Sequence, residues 1–394
     1  MQTLAKIRDR LEGQGPAWIL KRVRFELATP TTMPGKALFS VRHAVRHWTR
    51  VPFRALLRRI DAARPGADET MYAFYDLAVA PVTFDAVWFT VAADLARRAA
   101  GRRHLHFVIV PGRLEGFRQE HDAYEALVDR EARRWRIQNM LLPVFGLLEA
   151  TAGMTVAASR DEAGYLRDRA RAVFPDRYDP ALPTYSHTHG VIAAARAGEA
   201  TAVLCAPKDA RRTIDRYFRA HAGDRKVLTI TLRDYGFGAA RNSNHAAWAA
   251  FSRALDPAEW FVVVVPETTR TVEAPRPELE GLAMLPEAAW NVGLRLALYE
   301  AADLNMSVNT GPIYLASFAP DAPNIVFKLA EESVDQTTTA FMEGLGFVPG
   351  ETPSCLNRHT RWVWEGDDEA TLRREFEAMA SLIEDRRAAR AGAR

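Results

Sequence analysis

Short apolar runs alternate with helical stretches along most of this 394-residue sequence, and this alternation restricts its fold more than any other feature. Predicted strands occupy residues 71–81, 104–112, 153–159, 201–207, 226–232, 260–266, 304–309 and 324–329. Predicted helices lie between them, over residues 83–100, 120–150, 161–173, 190–200, 208–222, 244–255, 286–302 and 312–318. Such an alternation is typical of βαβ units that build parallel sheets. We therefore predict an α/β chain.

The strand and helix pattern starts again after a charged stretch, which indicates two similar halves. Two Rossmann-like domains facing a cleft are predicted, with the ligand at the carboxyl ends of the strands. The predicted divisions are a basic N-terminal extension over residues 1–65, a first domain over 66–207, a linker helix over 208–223, a second domain over 224–366 and a C-terminal helix over 367–394.

Basic residues are concentrated in the first 65 positions, although the whole chain carries a net charge of only +3. This segment has 14 Lys and Arg against 4 acids, so it carries +10 and leaves −7 for the remainder. Apolar positions 41, 45 and 48, and then 53, 56, 57 and 60, have helical spacing with arginines between them. The pattern is typical of a basic amphipathic helix on an anionic membrane surface. A helix docked on its own domain with a solvated basic face is the alternative. Nucleic acid is disfavoured, because no recognition motif accompanies the charge.

The expected compartment follows from what the sequence lacks. Two cysteines, Cys205 and Cys355, are too few for a disulfide-rich secreted scaffold or a metal site built from cysteine. No apolar run approaches the ~18–20 residues that span a bilayer, and the first residues are too polar for a signal peptide. We expect a cytoplasmic protein, held peripherally on the inner membrane where the basic segment binds it.

One candidate anion site follows the predicted strand that ends at Asn309. A helix is predicted to begin at Thr310 or Gly311 with Pro312 in its first turn, where the missing N–H costs nothing. Free backbone N–H groups at such a helix start suit a diphosphate, and Gly311 would let the phosphate approach closely. An ordinary capped βα turn is the alternative.

A second candidate site is the loop that follows the predicted strand 226–232. Arg233 and Arg241 suit bidentate phosphate contact, and Gly236 and Gly238 permit a tight turn. A GxGxxG pattern is absent, which disfavours a nicotinamide dinucleotide. The alternative is that these two arginines bind no ligand, because arginines are frequent throughout this chain.

These two loops carry a resemblance to a known family. The second half resembles the donor-binding domain of two-domain (GT-B) glycosyltransferases, above all the heptosyltransferases of lipopolysaccharide synthesis. Their signature is Asp-(Ser/Thr)-Gly-Pro-x-His-Leu-Ala-Ala, followed by a proline and an apolar strand. Here the matching residues are Asn309-Thr310-Gly311-Pro312-Ile313-Tyr314-Leu315-Ala316-Ser317, followed by Pro323 and Ile325-Val326-Phe327. Asn309 and Tyr314 depart from the pattern. Arginine-lined first loops also occur in fucosyltransferases that use GDP-fucose, so the donor stays open.

The resemblance implies a metal-independent glycosyltransferase without a cofactor, which moves a sugar from a nucleotide-diphosphate sugar to a glycan or glycolipid acceptor. It implies that Thr310 and Gly311 lie against the donor diphosphate and that Arg241 stabilises its developing charge. The predicted donor-binding residues are Arg233, Tyr235, Arg241, Asn242, Ser243, Asn309, Thr310, Gly311, Pro312 and Tyr314.

The base that would deprotonate the acceptor is expected in the first half, on a loop that follows a strand. The catalytic candidates are Asp76, Glu115 and Asp122, with Glu120 and His121 beside them. The alternative for each of these residues is a solvated surface group without a catalytic role. Two further functions fit the sequence: a nucleotide-sugar epimerase of the same architecture, and a non-catalytic membrane-associated binding protein.

Overall fold

The computed structural model describes residues 32–60, 68–113, 115–120, 122–185 and 187–392, and the chain forms two compact units. Unit 1 takes residues 1–81, 96–119 and 152–186, and unit 2 takes residues 82–95, 120–151 and 187–394. The strands are β1 (Thr70–Asp76), β2 (His104–Val110), β3 (Thr151–Val156), β4 (Ala172–Phe174), β5 (Lys226–Thr231), β6 (Trp260–Val265), β7 (Ala283–Met284), β8 (Leu304–Val308), β9 (Asn324–Phe327) and β10 (Thr360–Trp362).

The helices lie mostly between these strands, as the sequence predicts. They are α1 (Met33–Ile60), α2 (Ala86–Ala99), α3 (Asp122–Glu125), α4 (Arg130–Arg136), α5 (Leu142–Phe145), α6 (Arg160–Arg169), α7 (Thr188–Arg196), α8 (Lys208–His221), α9 (His245–Ala254), α10 (Glu287–Trp290), α11 (Val292–Ala301), α12 (Tyr314–Ser317), α13 (Thr339–Gly344), α14 (Glu369–Glu377) and α15 (Ala380–Gly392). A π-helical turn, Ile137–Leu141, joins α4 to α5.

Unit 1 is built on a four-stranded sheet with the order β3-β2-β1-β4. β1 pairs in parallel with β2 and with β4, and Asp76 at the end of β1 lies opposite Val110. The last four residues of β1 are buried, and the ring of Phe74 stacks on that of Tyr178 at 4.5 Å between centroids. The sheet therefore has a packed face and a carboxyl edge that can present side chains.

Unit 2 is built on a six-stranded sheet with the order β10-β9-β8-β5-β6-β7, in which every pairing is parallel. Counted from β5, this is the 3-2-1-4-5-6 order of a Rossmann-type sheet, and unit 1 has the corresponding 3-2-1-4 part. The predicted pair of Rossmann-like domains is confirmed at the level of each sheet. The order reverses between β5 and β8, and the crevice outside such a switch point is where ligands bind in open parallel sheets.

Some predicted elements and boundaries differ from the structure. Residues 201–207 form no strand: Leu204 makes one bridge to Leu148, and the amide of Leu204 bonds to the carbonyl of Phe318. The predicted helix over 120–150 is broken into α3, α4, the π turn and α5. The end of the predicted helix over 161–173 is strand β4, and the C-terminal helix is divided into α14 and α15.

The units also divide the chain differently from the predicted domains. α8, predicted as a linker, packs against α11 inside unit 2. Residues 369–392, which form the two C-terminal helices and the link between them, contribute Leu372, Met379 and Ile383 to the unit 2 core. Residues 82–95 belong to unit 2 because the ring of Trp88 packs against those of Tyr314, Phe318 and Phe347.

Helix α1 confirms the predicted helix between residues 41 and 60. It contacts unit 1 through its arginine face, whereas a docked surface helix usually contacts its domain through its apolar face. Arg46 pairs with Asp179, and Arg50 and Arg54 pair with Asp168 of α6. The opposite face is an apolar stripe whose side chains are at least half exposed: Leu38, Val41, Val45, Trp48 and Leu56. Residues 1–31 and 61–65 of the predicted extension lie outside the described residues.

Candidate functional site

The loop after β5 is held together by its own side chains. Arg233 donates through its guanidinium to the carbonyl oxygens of Phe237 and Gly238 and to Oδ1 of Asn242. Asn242 also exchanges hydrogen bonds with the backbone of Tyr235, at 3.1 Å each. Ser243 closes the loop, because its Oγ accepts from the amide of Arg233 at 2.9 Å.

This network gives Arg233 a structural role in the loop. Its hydrogen-bond partners among the described residues are loop oxygens, and its side chain is buried. The phosphate contact predicted for it stays a prediction. Burial, together with the nearby charge of Arg241, lowers the pKa of Arg233 to about 10. Gly238 has φ +61°, the left-handed conformation that favours glycine, and this lets the chain turn back toward Arg241.

Arg241 is placed differently, at the end of a short 3-10 turn that leads out of the loop. Its Nη2 donates to the carbonyl of Asn309 at 3.1 Å, so it joins the loops after β5 and β8. Burial lowers the pKa of Arg241, which means that its charge is only weakly solvated. Among the described residues, Arg241 has no ion-pair partner within 4.0 Å.

Lys328, the residue directly after β9, adds a second cation to this edge. Its Nζ lies 3.4 Å from the carbonyl oxygen of Asn242, and its φ of +54° is rare for a residue with a side chain. A conformation of this kind costs free energy and is concentrated at functional sites. Lys328 likewise has no ion-pair partner in the part of the chain that the structure describes. The sequence analysis missed it because Lys328 continues an apolar run and was assigned to the strand.

A third cation lies behind the switch point. Arg295 of α11 is 3% exposed, and no described residue accepts a hydrogen bond from its Nε or forms an ion pair with it. Its charge acts on the hydroxyl of Tyr299, which is 2.7 Å from Oγ1 of Thr231 at the end of β5. Nothing in the sequence pattern distinguished this arginine from the others.

The loop after β8 has a shorter helix start than predicted, and its role as a diphosphate site stays a prediction. The segment from Gly311 forms a three-residue 3-10 turn and then only the four residues of α12, so the helix dipole there is small. A Cβ on Gly311 would lie 2.8 Å from Cβ of Phe84. The Phe84 side chain, which belongs to the same unit, is therefore close to the Gly311 backbone, where a phosphate was expected. Pro312 does occupy the first turn as predicted, and Thr310 is buried.

The two residues that depart from the family pattern are in contact with each other. Oη of Tyr314 donates to Oδ1 of Asn309 at 3.3 Å, and Nδ2 of Asn309 donates to the carbonyl of Leu329 at 3.0 Å. Burial raises the pKa of Tyr314 above its usual range, so the phenol stays neutral. This edge of the sheet is therefore neutral at Asn309 and Tyr314 and positive at Arg241 and Lys328.

The candidate bases lie in different environments. Asp76 of unit 1 is 2% exposed, and its two oxygens accept from Arg160, the hydroxyl of Tyr178 and the amide of Ala78. To act as a base, Asp76 would first have to lose these donors, and its catalytic role stays a prediction. Glu115 is exposed in unit 1, and Asp122 is exposed at the start of α3 in unit 2. His121 lies outside the described residues.

Metal ligands and membrane spans can be judged only for the described ranges. These contain no group of three or more His, Cys, Asp or Glu side chains placed to hold a metal ion. Within the same ranges, no helix is both long and apolar enough to cross a bilayer. The metal-independent mechanism stays a prediction.

Comparison with known proteins gives matches among solved structures only. No family model and no curated protein matches the chain. A glycosyl transferase of family 9 from Veillonella parvula aligns with 11% identity over 80% of this chain and 97% of its own, with a TM-score of 0.43. The ADP-heptose lps heptosyltransferase II of E. coli aligns with 11% identity over 81% and 99%, with a TM-score of 0.39. A wall teichoic acid polymerase aligns with 10% identity over 88% and 89%, with a TM-score of 0.33.

Proposed function

We propose that this protein is a glycosyltransferase that moves a hexosyl or heptosyl group from a nucleotide-diphosphate sugar to an acceptor hydroxyl. The observation that carries the proposal is the pair Arg241 and Lys328, two cations at the carboxyl edge of the unit 2 sheet that form no ion pair within 4.0 Å with a described residue. The carboxylates that act on their charges, Asp85 and Glu331, do so from a greater distance. They lie on loops that flank Asn309, beside the switch point between β5 and β8. The acceptor in this proposal is a glycan or glycolipid at the inner membrane surface.

The chemistry follows from where negative charge develops. When the sugar leaves, its former diphosphate carries additional charge, and fixed cations in a partly desolvated site stabilise that charge more than water does. Arg241 can donate two parallel hydrogen bonds to phosphate oxygens, since only one of its N–H groups is engaged by a described residue. Lys328 supplies a point charge beside it. The residue that takes the proton from the acceptor remains unassigned.

The first test is a thermal-shift measurement with UDP, GDP, ADP, CMP and dTDP, each with and without magnesium. A nucleotide present at ~100 times its dissociation constant adds about 2.7 kcal/mol of stability, which a melting curve resolves. We expect one diphosphate to raise the melting temperature without magnesium. An unchanged melting temperature with all five nucleotides would contradict the proposal.

The second test replaces the cation itself. Arg241→Ala is expected to lower the transfer rate by roughly 10²–10³, because one preorganised donor to the developing charge is lost. The measurement is release of nucleoside diphosphate in the presence of acceptor. Arg373→Ala is the matched control, since Arg373 is a half-exposed arginine of α14 that pairs with Glu369.

The outcomes of the second test separate the alternatives. An unchanged rate in Arg241→Ala would remove Arg241 from the mechanism. Conversion of the nucleotide sugar without acceptor and without free nucleoside diphosphate would identify an epimerase. Nucleotide binding without any turnover would identify a binding protein.

A further inference from the structure

Helix α1 is attached to unit 1 through its polar face. Arg46 forms two hydrogen bonds to Asp179, at 2.9 and 3.2 Å, and Nε of Arg54 donates to Asp168 at 2.9 Å. His43 adds a bond of 3.1 Å to the carbonyl oxygen of Leu182. These contacts use the face that a surface helix normally turns toward water.

The opposite face is apolar and open. Trp48 is 70% exposed and Val41 is 60% exposed, and together with Leu38, Val45 and Leu56 they form the apolar stripe. From Leu38 to Leu56 the stripe extends about 27 Å along the helix. Scattered apolar side chains are normal on protein surfaces, whereas a continuous row of this length marks an interaction site.

The charge of the helix restricts what can cover this stripe. α1 contains seven basic residues and no acid, and the two carboxylates that receive its inward arginines, Asp168 and Asp179, are buried. Arg42 and Arg59, which lie on or beside the stripe at helical spacing, are partly or fully exposed without a described carboxylate partner. The surface around the stripe is therefore positive.

Two nearby occupants have the wrong charge. A second copy of α1 would place positive charge against positive charge. Residues 1–31 of this chain also carry more basic than acidic groups, six against three, so their charge does not complement this surface. An anionic lipid surface complements the charge, and its hydrocarbon boundary takes up apolar side chains, with tryptophan favoured at the interface.

We infer that the apolar stripe of α1 is the surface by which this protein lies on an anionic lipid bilayer. The helix is parallel to the membrane plane in this arrangement, with its arginine face held by unit 1 and its stripe at the level of the headgroups. Binding through α1 requires no catalytic activity, so this inference and the transferase proposal fail separately.

The test is flotation of the full chain with vesicles of phosphatidylcholine, alone or mixed with phosphatidylglycerol. The unchanged protein is expected to float with the mixed vesicles only, and less at high ionic strength. Val45→Ser combined with Trp48→Ser is expected to lower partitioning at least about tenfold, because two apolar side chains no longer enter the interface.

Controls keep loss of binding apart from loss of fold. Both replaced side chains are more than half exposed, so the melting temperature of the double variant is expected to match that of the unchanged protein. Val272→Ser, at an 88% exposed valine of unit 2, is the matched control and is expected to float normally.

Three results would overturn the inference. They are undiminished flotation of the double variant, equal flotation with phosphatidylcholine alone, and a dimer in solution that the double variant dissociates while vesicles fail to bind either form. The third result would assign the stripe to a second copy of the chain.

Discussion

Arginines that are all largely removed from water have different roles here, and the acceptors around each guanidinium decide which role it takes. Arg233 is surrounded by loop oxygens, whereas Arg54 is paired with a carboxylate. Arg241 has one carbonyl partner, and the Nε of Arg295 has none among the described residues. A guanidinium whose bonds are complete supports structure, and one with free N–H groups can still bind an anion.

This difference predicts opposite effects on stability. Arg233→Met is expected to lower the free energy of unfolding by about 1–3 kcal/mol, because buried loop carbonyls lose their donor. Arg295→Met is expected to leave it equal or higher, since the largely buried Arg295, whose Nε has no acceptor among the described residues, is replaced by an apolar side chain of similar length. Urea unfolding of both variants measures the difference. A larger loss in Arg295→Met than in Arg233→Met would contradict this assignment.

At this scale the sequence could predict which loops carry the candidate site but not which of their side chains face a ligand. Arg233 and Arg241 are equivalent in sequence, and only the fold of their loop separates them. The neighbour of Gly311 is Phe84, which is distant in the chain, so no local pattern could reveal it. Lys328 was hidden because it continues an apolar strand.

At the scale of elements, the prediction succeeded where burial is continuous and failed where segments bond outside a sheet or helix. β6 was predicted within one residue at each end, because its run is apolar and bounded by turn residues. β8 was predicted equally closely, and all of its residues are buried although Asn305 and Ser307 are polar. Residues 201–207 are equally apolar, yet their amides bond to Phe318 and Leu147 outside the sheets. Hydrophobic periodicity indicates which residues are buried, but it does not indicate which carbonyl group each backbone amide bonds to.

The strength with which α1 is attached to unit 1 depends on pH. Burial opposes the ionisation of Asp179, but hydrogen bonds from Arg46 and from the amide of Ala181 hold the pKa of this carboxyl below its ordinary 3.8. A carboxylate whose pKa is lowered on folding stabilises the protein above its unfolded pKa. That contribution is lost as the pH falls through the folded pKa. The pairing of α1 with Asp179 is therefore expected to hold at neutral pH and to weaken below pH 3.8.

Arg46→Ala tests this dependence. Because the Arg46 side chain is 42% exposed, the variant is expected to lose only about 0.5–1 kcal/mol of stability at neutral pH. The loss should disappear once Asp179 is protonated. Melting curves of the variant and of Lys36→Ala, an exposed basic residue of the same helix, give the comparison across pH. A loss that persists unchanged in acid would assign it to packing instead of charge.

At the scale of the whole molecule, the two sheets are separate but the chain is interleaved between the units. Residues 82–95 and 120–151 precede most of unit 2 in sequence and are nevertheless part of it. The restart of the βαβ pattern predicted two sheets correctly. It could not predict this exchange, because both contributing segments have a helical pattern, and such a pattern fits either sheet.

The interleaving predicts that unit 2 cannot be cut out at the boundary expected from sequence. A fragment of residues 224–394 lacks the ring of Trp88, which packs on Tyr314, Phe318 and Phe347, and it lacks the partner of the Phe318 carbonyl. We expect the fragment to show no cooperative thermal transition by circular dichroism, in contrast to the full chain. A fragment that melts cooperatively near the temperature of the full chain would show that these segments are dispensable.

The interleaving also sets an order of events during synthesis on the ribosome. The final strand of unit 1 has been made by residue 186, whereas β9 of unit 2 ends at Phe327, 141 residues later (327 minus 186). At ~5–20 residues per second, this interval lasts roughly 7–28 s. Until Tyr314 and Phe318 are made, shortly before the end of this interval, Trp88 lacks these partners, so the nascent chain exposes an aromatic surface that a chaperone can bind.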